Sequence, residues 1–235
     1  DIEQATQSIH LLYFIVRKDE VGQRLISLLA QKAAEGVEVR LVYDSAGCFG
    51  TTLKFFDSII KAGGHVYKFH PPTLRPIGLN YNYRNHRKIV VVDGRIGYLG
   101  GMNVGKEYMS LDPNYSPWRD AHLRLVGDAV WDLQHRFFRD YFMVCEDKRD
   151  EVHIQSNLDH YFTASLVTTI CPIQIVSDGP DTPTDDIKLA FVKMMQTATK
   201  SIRIQTPYFI PDQLFLETLK IAAYSGVKVE VMIPT

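Results

Sequence analysis

Two stretches of this 235-residue chain spell out the same strand–helix–glycine–strand unit, and that repetition constrains the fold more than any other feature. Ala5-Thr6-Gln7-Ser8-Ile9-His10 opens an apolar run, Leu11 to Val16, which ends at a polar helix start, Asp19. Ala198-Thr199-Lys200-Ser201-Ile202-Arg203 opens a second run, closed by Pro207-Tyr208-Phe209-Ile210 ahead of Asp212. Helical spacing follows in each, through Leu25, Ile26, Leu28 and Leu29 and through Leu214, Leu216, Leu219 and Ile221. Gly36 and Gly226 then stop the helices, and Val37–Val42 and Val227–Met232 alternate as strands. The offset is 193 between Ala5 and Ala198 and 190 between Gly36 and Gly226. Such units are common in α/β proteins, so the shared Ala-Thr-x-Ser-Ile carries the case for duplication. On that reading the second copy continues beyond Thr235.

The remaining periodicities predict strands near 8–16, 37–43, 65–69, 83–92, 96–100, 119–126, 173–177, 201–206 and 227–233. Helices are predicted near 19–35, 51–62, 128–143, 185–199 and 212–225. This alternation implies an α/β fold, a sheet covered by helices on both faces. Residues 1–145 read as a first half, 146–170 as an aperiodic connection and 171–235 as the start of a second half. Pro71, Pro72, Pro76 and Gly78 mark an irregular loop. Trp131, Phe137, Phe138, Tyr141 and Phe142 recur at helical spacing and read as core.

A hydrophobic fraction of 46% with 23% charged residues fits a packed core. The formal net charge of −1 gives no support to a nucleic-acid partner. Cys48, Cys145 and Cys171 are too scattered for a zinc site or disulfide framework, which points to a reducing compartment. His65, His70, His86 and His122 lack metal-ligand spacing, so neither metal nor cofactor is expected. No apolar run is long enough to span a bilayer, and no signal peptide is evident. The chain opens at Asp1 without a methionine, inside what reads as a helix, so either end is expected to be missing.

The chemistry gathers in Tyr83-Arg84-Asn85-His86-Arg87-Lys88-Ile89-Val90-Val91-Val92, followed by the hairpin signal Asp93-Gly94 and a returning strand, Ile96 to Leu99. On a strand, His86 and Lys88 project from one face at the mouth of an apolar, buried stretch. A buried ammonium there requires a partner. Either a phosphate-ester oxyanion or a structural carboxylate satisfies it, and the spacing alone does not choose between them.

The complete pattern, His86-x-Lys88-x4-Asp93-x6-Gly100-Gly101-x-Asn103, resembles the signature of the phospholipase D superfamily. Asn85-His86-Arg87-Lys88, Gly100-Gly101-Met102-Asn103-Val104-Gly105, Glu107-Tyr108, Trp118-Arg119-Asp120-Ala121-His122 and Pro207-Tyr208-Phe209-Ile210-Pro211 look like bacterial cardiolipin synthases in particular. The resemblance implies a phospholipase D-like fold, a mixed β-sheet flanked by helices on both faces, with its first half complete and its second truncated. It further implies two His motifs facing each other, one His attacking phosphorus and the other protonating the leaving alcohol. A second motif is then expected near position ~276, by the offset of the repeat.

Carried onto this chain, the resemblance makes His86 the nucleophile, with Lys88 and Asn103 on phosphate oxygens and Gly101 beside them. Asp93 belongs to the same signature, either in the catalytic set or in a structural role at the turn. Asp120 is the candidate acceptor for the other His86 nitrogen; a salt bridge to Arg119 or Arg124 is the alternative. His122, two positions on, shares its strand face and is a second orienting candidate. Arg75, Arg84 and Arg87 form a basic patch that either attracts anionic headgroups or is an ordinary solvated face. Pro207-Tyr208-Phe209 either lines the site from the second half or packs.

The implied reaction is phosphatidyl transfer between two phosphatidylglycerol molecules, giving cardiolipin and glycerol. The implied partners are anionic phospholipid, a membrane surface and the missing second half. The implied location is the cell membrane, with the catalytic region peripheral and transmembrane segments upstream. A phospholipase D-type hydrolase of lipid or nucleic acid is the second reading. A single-motif, non-catalytic fragment is the third, since one His cannot serve both steps with one geometry.

Overall fold

Apolar side chains on both faces of β1 (Ser8–Tyr13) and β2 (Glu38–Asp44) require cover from two sides, and these strands lie inside a six-stranded sheet, each with a neighbour on either side. The computed structural model describes residues 1–69, 84–164, 167, 171–179 and 182–234, in two units, Asp1–Ile175 and Val176–Thr235. The first unit also contains α1 (Glu20–Ala34), α2 (Asp57–Lys61), β3 (His65–Phe69), β4 (Ile89–Val92), β5 (Ile96–Gly100) and β6 (His122–Val126). Three further helices, α3 (Ala129–Phe142), α4 (Lys148–Ser156) and α5 (Leu158–Tyr161), complete it. The order across the sheet is β3-β2-β1-β4-β5-β6. β1, β2 and β3 run parallel, while β4, β5 and β6 are each antiparallel to the neighbour before them. The fold is thus the mixed α/β sheet expected.

Strand alternation divides the core between the two faces. Ile9, Leu11, Val39, Leu41, Val90 and Val92 pack with Ile26 and Leu29 of α1 and Ile59 of α2. Leu12, Val42, Ile89 and Val91 pack with Leu133, Phe137 and Tyr141 of α3, and with Ile154 and Tyr161. Phe137, Phe138 and Tyr141 of α3 therefore are core, as their spacing implies, and Phe142 packs against them; Trp131 is half-buried and donates to the Thr163 carbonyl at 3.0 Å instead. At the start of α1, Asp19 accepts from the N–H groups of Val21 and Gly22 at 3.1 and 3.0 Å. Its other oxygen takes the Lys106 N–H at 2.7 Å, tying the helix start to the chain beyond β5.

A buried polar network shares the α3 face. Arg40 donates to both oxygens of Asp150, at 3.1 and 2.6 Å, and to Glu38 at 2.6 Å. Tyr141 donates to Asp150 at 2.5 Å and Tyr161 to Glu38 at 2.6 Å. His10, fully buried and stacked on Phe137 at 4.8 Å, lies 3.0 Å from Gln134 Oε1 and 3.2 Å from the Arg40 guanidinium. Burial, and next the Arg40 charge, push His10 down to about 3, so the ring is neutral.

Several elements differ from the sequence reading. β1 stops at Tyr13, and of the residues up to Val16 only Val16 makes an isolated parallel bridge, to Val104. Residues 84–88 lie outside any strand, and β4 begins at Ile89. β6 begins at His122, leaving Asp120 in the loop before it. No strand forms over 173–177; residues 171–179 carry no regular structure. The stretch read as aperiodic forms α4 and α5, whose anchors are few (Asp150, Ile154 and Tyr161 are the buried ones) and too sparse to show a period. The Pro71–Gly78 loop, His70, Arg75 and Tyr83 lie outside the described residues.

The second unit contains α6 (Asp186–Thr197), β7 (Ser201–Gln205), α7 (Gln213–Tyr224) and β8 (Lys228–Met232), with β7 and β8 parallel. It repeats β1–α1–β2, including positive φ at Gly36 (91°) and Gly226 (88°), the left-handed stop that glycine adopts without strain. α1 has 15 residues and α7 has 12, which is where the offset falls from 193 to 190.

Candidate active site

The antiparallel turn of direction at β4 gathers the motif at one end of the sheet. Tyr13 pairs with Tyr43, Leu12 with Ile89, Ile89 with Leu99, and Gly100 with His122. Phe14, Asp44, Lys88 and Gly101, each next to one of these positions, and Asp120, two residues before His122, therefore share that end. It is the carboxyl end of the parallel strands, where open α/β sheets place their ligands.

Lys88 Nζ lies 3.0 Å from His86 Nδ1 and 3.2 Å from Nε2, and donates to the His86 carbonyl at 2.7 Å. The His86 ring rests against Phe14, with centroids 4.6 Å apart, and the ammonium stands 5.5 Å over the same phenyl ring. Lys88 is 3% exposed whereas His86 is open to solvent. Burial brings Lys88 down to about 8, against the opposing field of Asp120. Burial, and next the Lys88 charge, hold His86 below the ordinary histidine value, with Asp44 pulling it back. A neutral, exposed imidazole beside a buried cation is suited to attack an anionic phosphorus centre.

Asp120 Oδ1 accepts the Ala121 N–H at 2.7 Å, and Trp118 Nε1 donates to Oδ2 at 3.4 Å. No hydrogen bond joins Asp120 to His86 among the described residues; its field acts on Lys88 and His122. Arg124 pairs with Asp1 at 2.7 Å, so the alternative of an Asp120–Arg124 bridge is not formed. Burial holds His122 below its ordinary value, and its Nδ1 is buried with no hydrogen-bond partner among the described residues. The two glycines admit this pair: a Cβ on Gly101 would stand 2.2 Å from Asp120 Oδ1, and one on Gly100 2.6 Å from His122 Nδ1.

Asn103 spans two groups near the site, accepting the Ile15 N–H at 3.0 Å and donating to the Tyr108 hydroxyl at 3.0 Å. Tyr108 in turn meets the Trp118 ring edge-on at 4.8 Å. Asp93 is not brought to His86. It occupies the β4–β5 turn at φ 52° and gathers the N–H groups of Thr6, Gln7 and Ser8 at 2.9, 2.8 and 3.0 Å, beyond the opposite end of β1. Burial raises the Asp93 carboxyl, but these N–H groups hold it below the usual range. Its place fits the structural alternative, a carboxylate that fastens the hairpin to the edge of β1.

Three residues that the sequence reading did not single out complete the site. Asp44, at the end of β2, accepts the N–H groups of Asn85 and Ala46 at 2.9 and 2.8 Å. Asn85 Nδ2 donates to Asp140 of α3 at 2.9 Å. Asp140 also receives Arg87 at 3.4 Å and pairs with Arg136. A sequence signal for Asp140 exists: an acid between Phe138 and Tyr141 on the buried stripe of α3.

The chain matches a family described as "Cardiolipin synthase, PLD-like domain" over residues 1–115 and 191–235. It is 46% identical over 234 residues to the major cardiolipin synthase ClsA of Bacillus subtilis (strain 168), covering 100% of this chain and 48% of that protein. A cardiolipin synthase of Staphylococcus aureus (strain Mu50 / ATCC 700699) is also 46% identical over 234 residues, covering 100% of this chain and 46% of that protein. The chain thus spans about half the length of the curated relatives it matches. Among solved structures, phosphatidylserine synthase of Haemophilus influenzae Rd KW20 shares the fold at a TM-score of 0.66 and 16% identity, over 99% of this chain and 57% of that one. With the HxK pair, its glycines and its sheet assembled, and family and relatives in agreement along the chain, this protein belongs to the cardiolipin synthase, phospholipase D-like family.

Proposed function

We propose that this chain is the first catalytic half of a phosphatidyltransferase that makes cardiolipin from two phosphatidylglycerol molecules. The observation that carries the proposal is the exposed His86 imidazole, 3.0 Å from a buried ammonium at the carboxyl end of the sheet. Neutral His86 attacks the phosphorus of one phosphatidylglycerol; an N–P bond forms and the P–O bond to the headgroup glycerol breaks. Free glycerol leaves with a proton supplied by the remainder of the enzyme. The glycerol hydroxyl of a second phosphatidylglycerol then attacks phosphorus and gives its proton to the group that protonated the first glycerol; the N–P bond breaks and His86 is returned. Lys88 neutralises a non-bridging oxygen throughout, and Asn103, Gly101, Asp120 and His122 line the same end of the sheet.

The substrate places this half at the surface of an anionic membrane. No helix among the described residues is long and apolar enough to cross one. In the intact two-motif enzyme, His86→Ala is expected to abolish conversion of phosphatidylglycerol to cardiolipin and Lys88→Ala to weaken it severely, by a loss of about 100-fold or more. Full turnover by His86→Ala overturns the proposal. Product analysis in excess glycerol separates transfer from hydrolysis, because a hydrolase yields phosphatidic acid instead of an exchanged headgroup.

A further inference from the structure

His86 stands in a segment with no strand ladder to hold it, and its ring faces solvent. A mobile imidazole would lose its alignment with Lys88, so the restraint has to come from the residues on either side. Beyond the Phe14 ring beside His86 and the Lys88 bond to its carbonyl, Asn85 ties down the backbone around it. Asn85 is 2% exposed and its hydrogen-bonding groups are engaged around His86. Its N–H goes to Asp44 at 2.9 Å, its amide nitrogen to Asp140 at 2.9 Å, and its amide oxygen accepts the Arg87 N–H at 3.3 Å. The last bond closes an Asx-type turn with His86 at its centre. The two carboxylates are each 1% exposed and cannot shift without leaving a buried charge unsatisfied.

We propose that Asn85, held between the buried carboxylates of Asp44 and Asp140, is the positioning residue that keeps the His86 imidazole aligned with Lys88. The inference rests on the reading of His86 as the nucleophile. An amide is required at 85 because the position must donate to Asp140 and accept from Arg87 at once. Aspartate offers no donor and sets a third carboxylate in the cluster, and alanine offers neither group. Asp44 serves twice: it anchors the Asn85 backbone, and its field opposes that of Lys88 at the imidazole.

The test uses this chain labelled with 15N-histidine, titrated by NMR, with the ordinary histidine value of 6.5 as the reference. Wild-type His86 is expected to titrate below that value. In folded Asn85→Ala its midpoint should rise toward the reference by about half a pH unit or more as Lys88 and the ring separate. Should Asn85→Ala fail to fold, Asn85→Ser, whose hydroxyl is too short to reach Asp140, is read the same way. In the intact enzyme the single variants should lose kcat about 10-fold or more with KM little changed, as misplacement of a nucleophile does. A folded Asn85→Ala or Asn85→Ser chain with a wild-type His86 titration overturns the proposal, as does a wild-type His86 that titrates at or above 6.5. Failure of the nucleophile reading shows separately, as cardiolipin formation that survives His86→Ala.

Discussion

Lys88 carries a cation whose charge is lost within the ordinary working range, since burial sets its midpoint at about 8. Affinity for a soluble phosphodiester, diethyl phosphate, should therefore fall about tenfold between pH 7 and 9, following the protonated fraction, and the fall should be absent from Lys88→Met. Calorimetric titration at the two pH values reads both. Gly101→Ala tests the neighbouring carboxylate. A Cβ there meets Asp120 Oδ1 at 2.2 Å, so the carboxylate must move, and loss of its field should take the Lys88 midpoint below about 8 in 15N-lysine NMR. His86 and Lys88 were legible as a pair because two residues apart is a local relation. Asn85 was visible as a letter within the motif but not as a part of the site. Its partners Asp44 and Asp140 lie 41 and 55 residues away, a separation at which no periodicity in sequence survives.

The strands read most accurately were two that start close after a glycine turn, Gly63-Gly64 and Asp93-Gly94, because the turn limits where the strand can begin. β3 spans His65–Phe69 and β5 spans Ile96–Gly100, both as the pattern implies. α4 and α5 escaped because their stability comes from the Arg40–Asp150–Glu38 network and not from an apolar stripe of their own. That network has a pH signature. Folded His10 titrates near 3 against 6.5 unfolded, so between those values the unfolded chain binds the extra proton. Stability must fall as pH drops through that window, by about 2 kcal/mol from pH 7 to 5 on this group alone. Burial raises Glu38, but hydrogen bonds from Tyr161 and Arg40 lower it to about 2, so its own loss begins below 4.5 and leaves the upper part of the window to His10. Urea unfolding at pH 7 and 5 measures the drop, and His10→Gln should remove most of it. An unchanged drop in a folded His10→Gln chain would assign the effect elsewhere.

At the scale of the molecule the two units differ in how much they bury. In Val176–Thr235 the buried apolar side chains are Val192, Met195, Leu219, Ala222 and Val227, and neither β7 nor β8 has a buried residue. In the first unit β1 is buried along five of six positions. Amide exchange in Ser201–Gln205 and Lys228–Met232 of this chain should therefore run at least about tenfold faster than in Ser8–Tyr13, reading local opening below the global transition. Equal protection in the two sheets would contradict it. The sequence by itself determined the alternation of strands and helices, their glycine stops, and a motif contained in the eighteen positions from His86 to Asn103. Each of these is written in short-range spacing, which backbone geometry turns directly into strand, helix or turn. Only the tertiary structure decided which carboxylate serves which residue: Asp93 gathers the backbone at Thr6–Ser8, Asp44 and Asp140 hold Asn85, and Asp120 stands by Lys88 and His122. The reason is that a charge finds its partner through sheet register and burial, which join residues from β1, β2, β4, β6 and α3 that the chain itself keeps apart.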